Sequence, residues 1–354
     1  MRPMPDALVI LSPGFAASEA DTTCLPAQQA FVLALKQECP DLDIIILSFQ
    51  YPFKRSEYLW NGVKVFAFGG KSRSGLYRLL TWLRVWLRLR KLHRQYSIIG
   101  LLSFWLGEAA FVGSHFARLK GLKHYSWLLG QDAKAGNKYA RWIKPRGDDL
   151  IALSDALRAE YQKNYGIAPA YVIPNGVLPG SFPDTGGERD IDILGVGSLI
   201  PLKRYHLFAE LIHQLKESQP NIKAVICGDG PEMQNLKNLI ERLGLGDNLV
   251  LKGELPHPQV LALMQRSRVF MHTSEYEGFS TVCLEALFAG AQVVSFVKAM
   301  DAQIPNWHVV GTSAEMLAAV VSILQYGHHD CKPVIPYPIA DNAKAIMRLY
   351  GYKD

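Results

Sequence analysis

The sequence predicts an α/β protein built on two doubly wound parallel sheets, and three observations predict it. Residues 191–296 alternate between short β-branched runs and helix-periodic stretches, the pattern of a parallel sheet assembled from βα units. Residues 7–173 open with a βαβ unit and continue in the same style. The chain has 354 residues, too long for one ordinary α/β domain and comfortable for two of about 170. Between the two runs, residues 179–190 are rich in Pro, Gly and charge, which marks a domain boundary.

Composition narrows the class. Hydrophobic residues make up 49% and charged residues 20%, the balance of a soluble globular protein. The five cysteines (Cys24, Cys39, Cys227, Cys283 and Cys331) are odd in number and lack metal-ligand spacing, so they read as reduced thiols of a cytosolic protein. The start, Met-Arg-Pro-Met-Pro-Asp, lacks the long apolar region of a signal peptide, and no stretch reaches the ~18 apolar residues of a membrane span. A formal charge of +6 permits anionic substrates or an anionic membrane surface and demands neither. Nucleic acid is not expected as a partner, and there is no internal repeat.

In the first half, Ala7–Ser12 is a buried strand, Pro26–Glu38 an apolar-periodic helix and Asp43–Ser48 a second strand. This unit places Gly14 at the carboxyl end of the first strand, where open α/β sheets bind ligands. Gly62–Phe68 is a strand, and Ser74–Gln95 is a helix rich in arginine and aromatic residues. One reading of that helix is a basic face drawn to anionic lipid. The amphipathic pattern favours the other, a crossover helix that packs Leu79, Leu83 and Trp86 on the sheet and leaves its arginines in water. Ile98–Ser103 and Tyr125–Leu129 are strands around a helix over Glu108–Arg118, on which His115 reads as structural. Asp149–Leu153, a helix over Asp155–Tyr165 and Tyr171–Ile173 complete this half.

The second half reads as strands at Ile191–Val196, Lys223–Cys227, Leu249–Leu251, Arg268–His272 and Gln292–Phe296. Helices over Tyr205–Glu217, Pro231–Leu243 and Pro258–Arg266, and one from Ser280 or Thr281 to Ala289, lie between them. A last helical stretch covers Ile339–Leu349.

The stretch Met271–Gly290 carries the chemistry. A strand ends at its start, a polar loop holds Glu277 and Gly278, and a helix begins near Ser280 and stops at Gly290. A helix start presents unpaired N–H groups and the positive end of the macrodipole, which together attract an anion such as a diphosphate. Gly278 lets backbone approach a ligand. Glu285 falls roughly 6–8 Å into the helix at 1.5 Å per residue, the span from a diphosphate to the ribose of the same nucleotide. Glu277 precedes the helix, where an attached sugar would lie. The plainer reading is a solvated acidic loop before a packing helix.

Glu277-Gly-Phe-Ser-Thr-Val-Cys-Leu-Glu285 resembles the Glu-(seven residues)-Glu signature of the retaining glycosyltransferases of family 4. The resemblance implies the GT-B arrangement, two Rossmann-like domains facing across a cleft. It implies residues 1–180 as the acceptor-side domain, 181–334 as the nucleotide-sugar domain, and a helix in 335–354 returning to the first. Gly195-Val-Gly-Ser-Leu-Ile-Pro-Leu-Lys203 is similar to the family's Gly-Arg-(four residues)-Lys, whose cations neutralise the donor diphosphate. Lys203 matches, Ser198 replaces the Arg, and Arg204 is the candidate to compensate. Cys227-Gly-Asp-Gly-Pro231 resembles the glycine turn beside the nucleotide, with Gly228 and Gly230, and Lys252–Leu255 lies where relatives hold the base. Gly130 and Asp132 match the family's His-Gly-x-Asp, with Leu129 in the His position, and Ile173-Pro-Asn-Gly-Val177 matches the exit from the first domain.

For activity, the resemblance implies transfer of a hexose, with retention, from a UDP- or GDP-sugar to a glycan or lipid-linked acceptor of the cell envelope. Glu277, Lys203 and Asp132 are the catalytic candidates. Gly14, Ser198, Lys203, Arg204, Gly228, Gly230, Lys252, Leu255, Gly278, Phe279, Ser280, Thr281 and Glu285 are the donor-binding ones. No cofactor or metal is expected, and no Asp-x-Asp pair is present to hold one. Cleaving a sugar–diphosphate bond leaves an oxocarbenium-like sugar and an anionic leaving group. One preorganised donor to that charge is worth about 3–4 kcal/mol. Glu277 is open between nucleophile and orienting carboxylate. A nucleotide-sugar epimerase of the same fold, or a nucleotide-binding protein that has lost catalysis, are the alternative readings.

Overall fold

The computed structural model describes residues 4–184, 188–326 and 332–352, so Cys331 and part of the expected linker lie outside the described residues. The chain divides into two units. One runs to Gly176 and resumes at Tyr337, and the other is Val177–Pro336.

The first unit contains β1 (Asp6–Gly14), α1 (Pro26–Glu38), β2 (Asp43–Tyr51), β3 (Ser56–Trp60), β4 (Val63–Ala67), α2 (Leu76–Gln95), β5 (Ser97–Phe104) and α3 (Glu108–Lys120). It continues with β6 (His124–Leu128), α4 (Lys138–Ile143), β7 (Leu150–Ala152), α5 (Asp155–Tyr165) and β8 (Tyr171–Val172). The sheet order is β3-β4-β2-β1-β5-β6-β7-β8. Every pair in it is parallel except β3 with β4. The sequence reading missed β3, an edge strand whose mostly exposed residues show no buried run. It also missed α4, too short at six residues to display a period.

The second unit contains β9 (Ile191–Val196), α6 (Tyr205–Ser218), β10 (Ala224–Cys227), α7 (Met233–Arg242), β11 (Leu249–Leu251) and α8 (His257–Gln265). After these come β12 (Ser267–His272), α9 (Thr281–Phe288), β13 (Gln292–Ser295), β14 (Trp307–Val309) and α10 (Ser313–Tyr326). The strands, all parallel, follow the order β11-β10-β9-β12-β13-β14. Alternate strand residues serve opposite faces. Ile193, Ile226, Val269 and Val294 pack with α6, α7 and α10. Leu194, Val225, Phe270 and Val293 pack with α8 and α9. The order in which strands are added therefore reverses between β9 and β12, whose following helices α6 and α9 cover different faces. That is the switch point at which open α/β sheets bind ligands. β14 and α10 are additions to the sequence reading.

The last helix, α11 (Ile339–Tyr350), belongs to the first unit. Its Ile339, Ala343, Ile346 and Met347 are buried, and the Tyr350 hydroxyl donates to Leu101 O at 2.7 Å. Tyr350 lies against Gly100, where an added Cβ would fall 2.2 Å from the ring.

The expected packing of α2 is overturned. Its sheet face is Thr81, Val85, Leu89 and Leu92, all buried, with Trp86 edge-on to Phe116. Leu79 and Leu83 are 54% and 53% exposed. At 100° per residue Leu83 stands nearly opposite Val85 and Leu92. This helix carries two apolar stripes, and only the sheet decides which one it covers.

Gly100→Ala is expected to lower the unfolding free energy by about 1–3 kcal/mol through overpacking against Tyr350. In a Tyr350→Ala background the same change should cost much less. Urea denaturation of the four chains measures the difference.

Candidate active site

The loops that leave β9 and β12 meet at the switch point and are stapled together. Thr273 Oγ1 donates to Lys203 O at 2.8 Å, and the Glu275 amide donates to Leu202 O at 3.0 Å. Backbone packing shapes the first loop from beneath. Gly197 N donates to Cys227 O and Leu199 N to Asp229 O, and a Cβ on Gly228 would fall 1.9 Å from Gly197 O. Gly228 is thus required by the neighbouring loop; a side chain there would push the Ser198–Lys203 segment away.

This staple brings Lys203 to Glu277. The ammonium donates to Glu277 Oε1, and the side chains are 19% and 18% exposed. The same oxygen lies 3.2 Å from Nε2 of His272, a buried residue that closes β12. Burial opposes ionisation of Glu277, but the His272 hydrogen bond and the Lys203 charge outweigh it and hold the carboxyl at about 2.

Just beyond, α9 begins at Thr281 with Ser280 as its N-cap, and no side chain caps it. Ser280 Oγ lies 3.4 Å from His272 Nε2. Gly278, Phe279 and Ser280 are buried and Thr281 is half-buried. Phe279 stacks on Trp307, with ring centroids 6.0 Å apart. One turn into the helix Glu285 is buried, and its Oε1 lies 2.8 Å from Nε2 of His257, the first residue of α8. Burial pushes His257 down, yet the hydrogen bond and charge of Glu285 leave it above its ordinary value.

Other expected residues take different positions. Arg204, the candidate to replace the missing family arginine, commits its guanidinium elsewhere: Nε donates to Thr273 O at 2.9 Å, and the group lies over Phe296. It braces the loops. Ser198 and Lys252 are exposed, and Leu255 is half-buried against the α8–α9 core. Gly230 packs on Leu199 much as Gly228 packs on Gly197.

In the first unit, Gly14 ends β1 beside Tyr51. Asp132 spends both carboxylate oxygens on backbone amides: Leu106 at 2.9 Å, Gly130 at 2.8 Å and Leu129 at 3.2 Å. Its visible work is to shape the loop after β6. His115 is exposed, with Nδ1 at 2.8 Å from Phe111 O.

A family model described as Glycosyl transferases group 1 matches residues 183–311, and one described as Glycosyltransferase Family 4 matches residues 28–179. The chain belongs to glycosyltransferase family 4. Over 170 residues it is 30% identical to the phosphatidylinositol N-acetylglucosaminyltransferase GPI3 subunit of Saccharomyces cerevisiae, a match covering 45% of this chain and 38% of that protein. This family 4 chain thus matches little more than a third of that relative's length. Among solved structures, Anabaena Alr3699/HepE in complex with UDP aligns with a TM-score of 0.65 at 19% identity, covering 97% of this chain and 95% of that one. Sucrose-phosphate synthase from Thermosynechococcus elongatus aligns with a TM-score of 0.69 at 14% identity, covering 98% and 95%. The two parallel-sheet α/β units are those of the GT-B fold.

Two residues that contact these carboxylates escaped the sequence reading: His257 and His272. His272 precedes Glu277 by five positions across a strand end, and His257 is 28 positions from Glu285. Neither interval is a helix or strand repeat, so no local signal ties either histidine to its carboxylate.

The Glu277 cluster should be visible in acid. Glu277 ionises at about 2 in the folded chain against an ordinary 4.5, so its contribution is complete above the higher value and lost as pH falls through the lower. Between pH 6 and pH 2, Glu277→Gln is expected to lose less unfolding free energy than the wild type, by on the order of 3 kcal/mol. Urea denaturation across that range tests it.

Proposed function

We propose that this chain is a retaining hexosyltransferase that takes a UDP- or GDP-sugar and glycosylates a glycan or lipid-linked acceptor of cell-envelope polysaccharide synthesis. The observation that carries the reading is the Lys203–Glu277 pair at the switch point, beside the uncapped start of α9. A diphosphate arriving there competes for Lys203 and faces the helix start, so the cation that holds Glu277 becomes the cation that stabilises the leaving group. The bond from the anomeric carbon to the diphosphate oxygen breaks, and its electron pair leaves on the diphosphate. The acceptor hydroxyl then bonds to that carbon and gives its proton to the departing diphosphate oxygen. Retention requires the new bond on the face the diphosphate left, directly or through an adduct on Glu277. Glu285 accepts from the ribose hydroxyls. The solved complex of HepE with UDP-glucose favours a UDP donor, and the phosphatidylinositol named for the Saccharomyces relative favours a lipid-linked acceptor.

Glu277→Ala is expected to reduce transfer by roughly two orders of magnitude or more. UDP affinity by calorimetry should hold or tighten, because Lys203 no longer has to leave a partner. The assay is run with a chelator present, where the wild type should keep its turnover. Unchanged transfer in the variant would sink the reading.

The same reading places the chain in the cytoplasm, peripheral on the inner face of the membrane, and α2 supports it. Leu76, Leu80, Leu83 and Leu87 are 76%, 46%, 53% and 52% exposed. Their spacing of four, three and four aligns them along one stripe opposite the sheet. Arg84, Arg90, Lys91 and Arg94 are exposed around it. Leucines flanked by cations suit the headgroup boundary of an anionic bilayer better than water. Among the described residues no helix is long and apolar enough to cross a membrane. At low salt the chain should co-sediment with phosphatidylglycerol-containing vesicles, and Leu80→Asp with Leu83→Asp should abolish this. Equal sedimentation of both chains would refute the contact.

A further inference from the structure

We propose that His272 and His257 are positioning residues, one behind each carboxylate of the signature: His272 holds Glu277 for the chemical step, and His257 holds Glu285 for the ribose of the donor. The proposal rests on the donor-site reading above and adds two residues that no part of the signature contains.

The geometry is parallel at the two carboxylates. Each receives an imidazole Nε2 on one oxygen, at 3.2 Å for Glu277 and 2.8 Å for Glu285. In each case Oε2 accepts no hydrogen bond among the described residues and is left for a ligand. The two histidines come from elements other than α9: His272 closes β12, and His257 opens α8. Glu277 Oε1 is shared between His272 and Lys203, so when a diphosphate draws Lys203 away, His272 is the donor that remains. Without it the carboxylate would face the transferred sugar with no partner to set its direction.

His272 also costs the fold something. It is 4% exposed, its ring lies parallel to Phe270, and its Nδ1 has no hydrogen-bond partner among the described residues. A leucine would fill the strand end without burying an orphan nitrogen, so the imidazole is poorly explained by packing alone. Burial favours the neutral ring. A neutral ring that donates through Nε2 leaves Nδ1 as the bare acceptor, which matches the atom found without a partner.

The test uses the full chain and whichever of UDP-glucose and GDP-mannose it turns over. Loss of one hydrogen bond to a charged group predicts about a tenfold effect or more. His272→Leu should lower kcat by that factor and leave the donor KM within about twofold. His257→Leu should do the reverse, raising the donor KM with kcat preserved. Glutamine places an amide nitrogen near the imidazole Nε2, so His272→Gln and His257→Gln should each recover most of the loss. A merely structural role would lower the active fraction without this split and without the rescue. Wild-type constants in both leucine variants, or losses that glutamine does not repair, overturn the proposal. Glu277→Ala and Glu285→Ala are run beside them: if these are silent, the donor site itself is misplaced, whereas if they act and the leucine variants do not, only the histidine assignment falls.

Discussion

The ion pair between Lys203 and Glu277 is the constraint on which the second unit's site depends. It joins the loop after β9 to the loop after β12, two neighbouring strands whose helices pass to opposite faces of the sheet. Such loops diverge by construction and leave a crevice between them. Opposite charges set across that crevice hold it in a defined shape. Under the proposed function the same lysine is the group that an entering diphosphate engages.

The scaffold around the pair is mostly backbone. Thr273 Oγ1 to Lys203 O, and the Glu275 amide to Leu202 O, lock one loop on the other without using the charged groups. Gly228 permits the contact below, because any Cβ would collide with Gly197 O. Arg204 belongs to the same layer. Its charge ends over Phe296 and on a carbonyl. Lys203 supplies the charge set against Glu277, and the buried imidazole of His272 adds a hydrogen-bond donor.

Most of the second unit was legible because its signals are local. β-branched runs of four to six residues, separated by helix-periodic segments, leave few alternatives to a parallel sheet, and the Glu277–Glu285 interval needs only the helical rise. The elements that escaped lack such signals. β3 and β14 are edge strands with exposed residues, and α4 is shorter than two turns. On α2 the period was right and the face was wrong, since Leu76, Leu80, Leu83 and Leu87 make a stripe as regular as the one that packs. Asp132 shows the same limit in the first unit: the motif located it, but only coordinates show three backbone amides on its carboxylate.

By itself the sequence determined the two doubly wound sheets, the helix start near residue 281 and the acidic residues on either side of it. These follow from periodicity and chain geometry, which are properties of neighbours along the chain. Tertiary structure alone decided what each acid touches: Lys203 and His272 for Glu277, His257 for Glu285. Those partners arrive from other strands and helices, brought by sheet order and loop packing. The reach of a side chain across a fold has no period to be read.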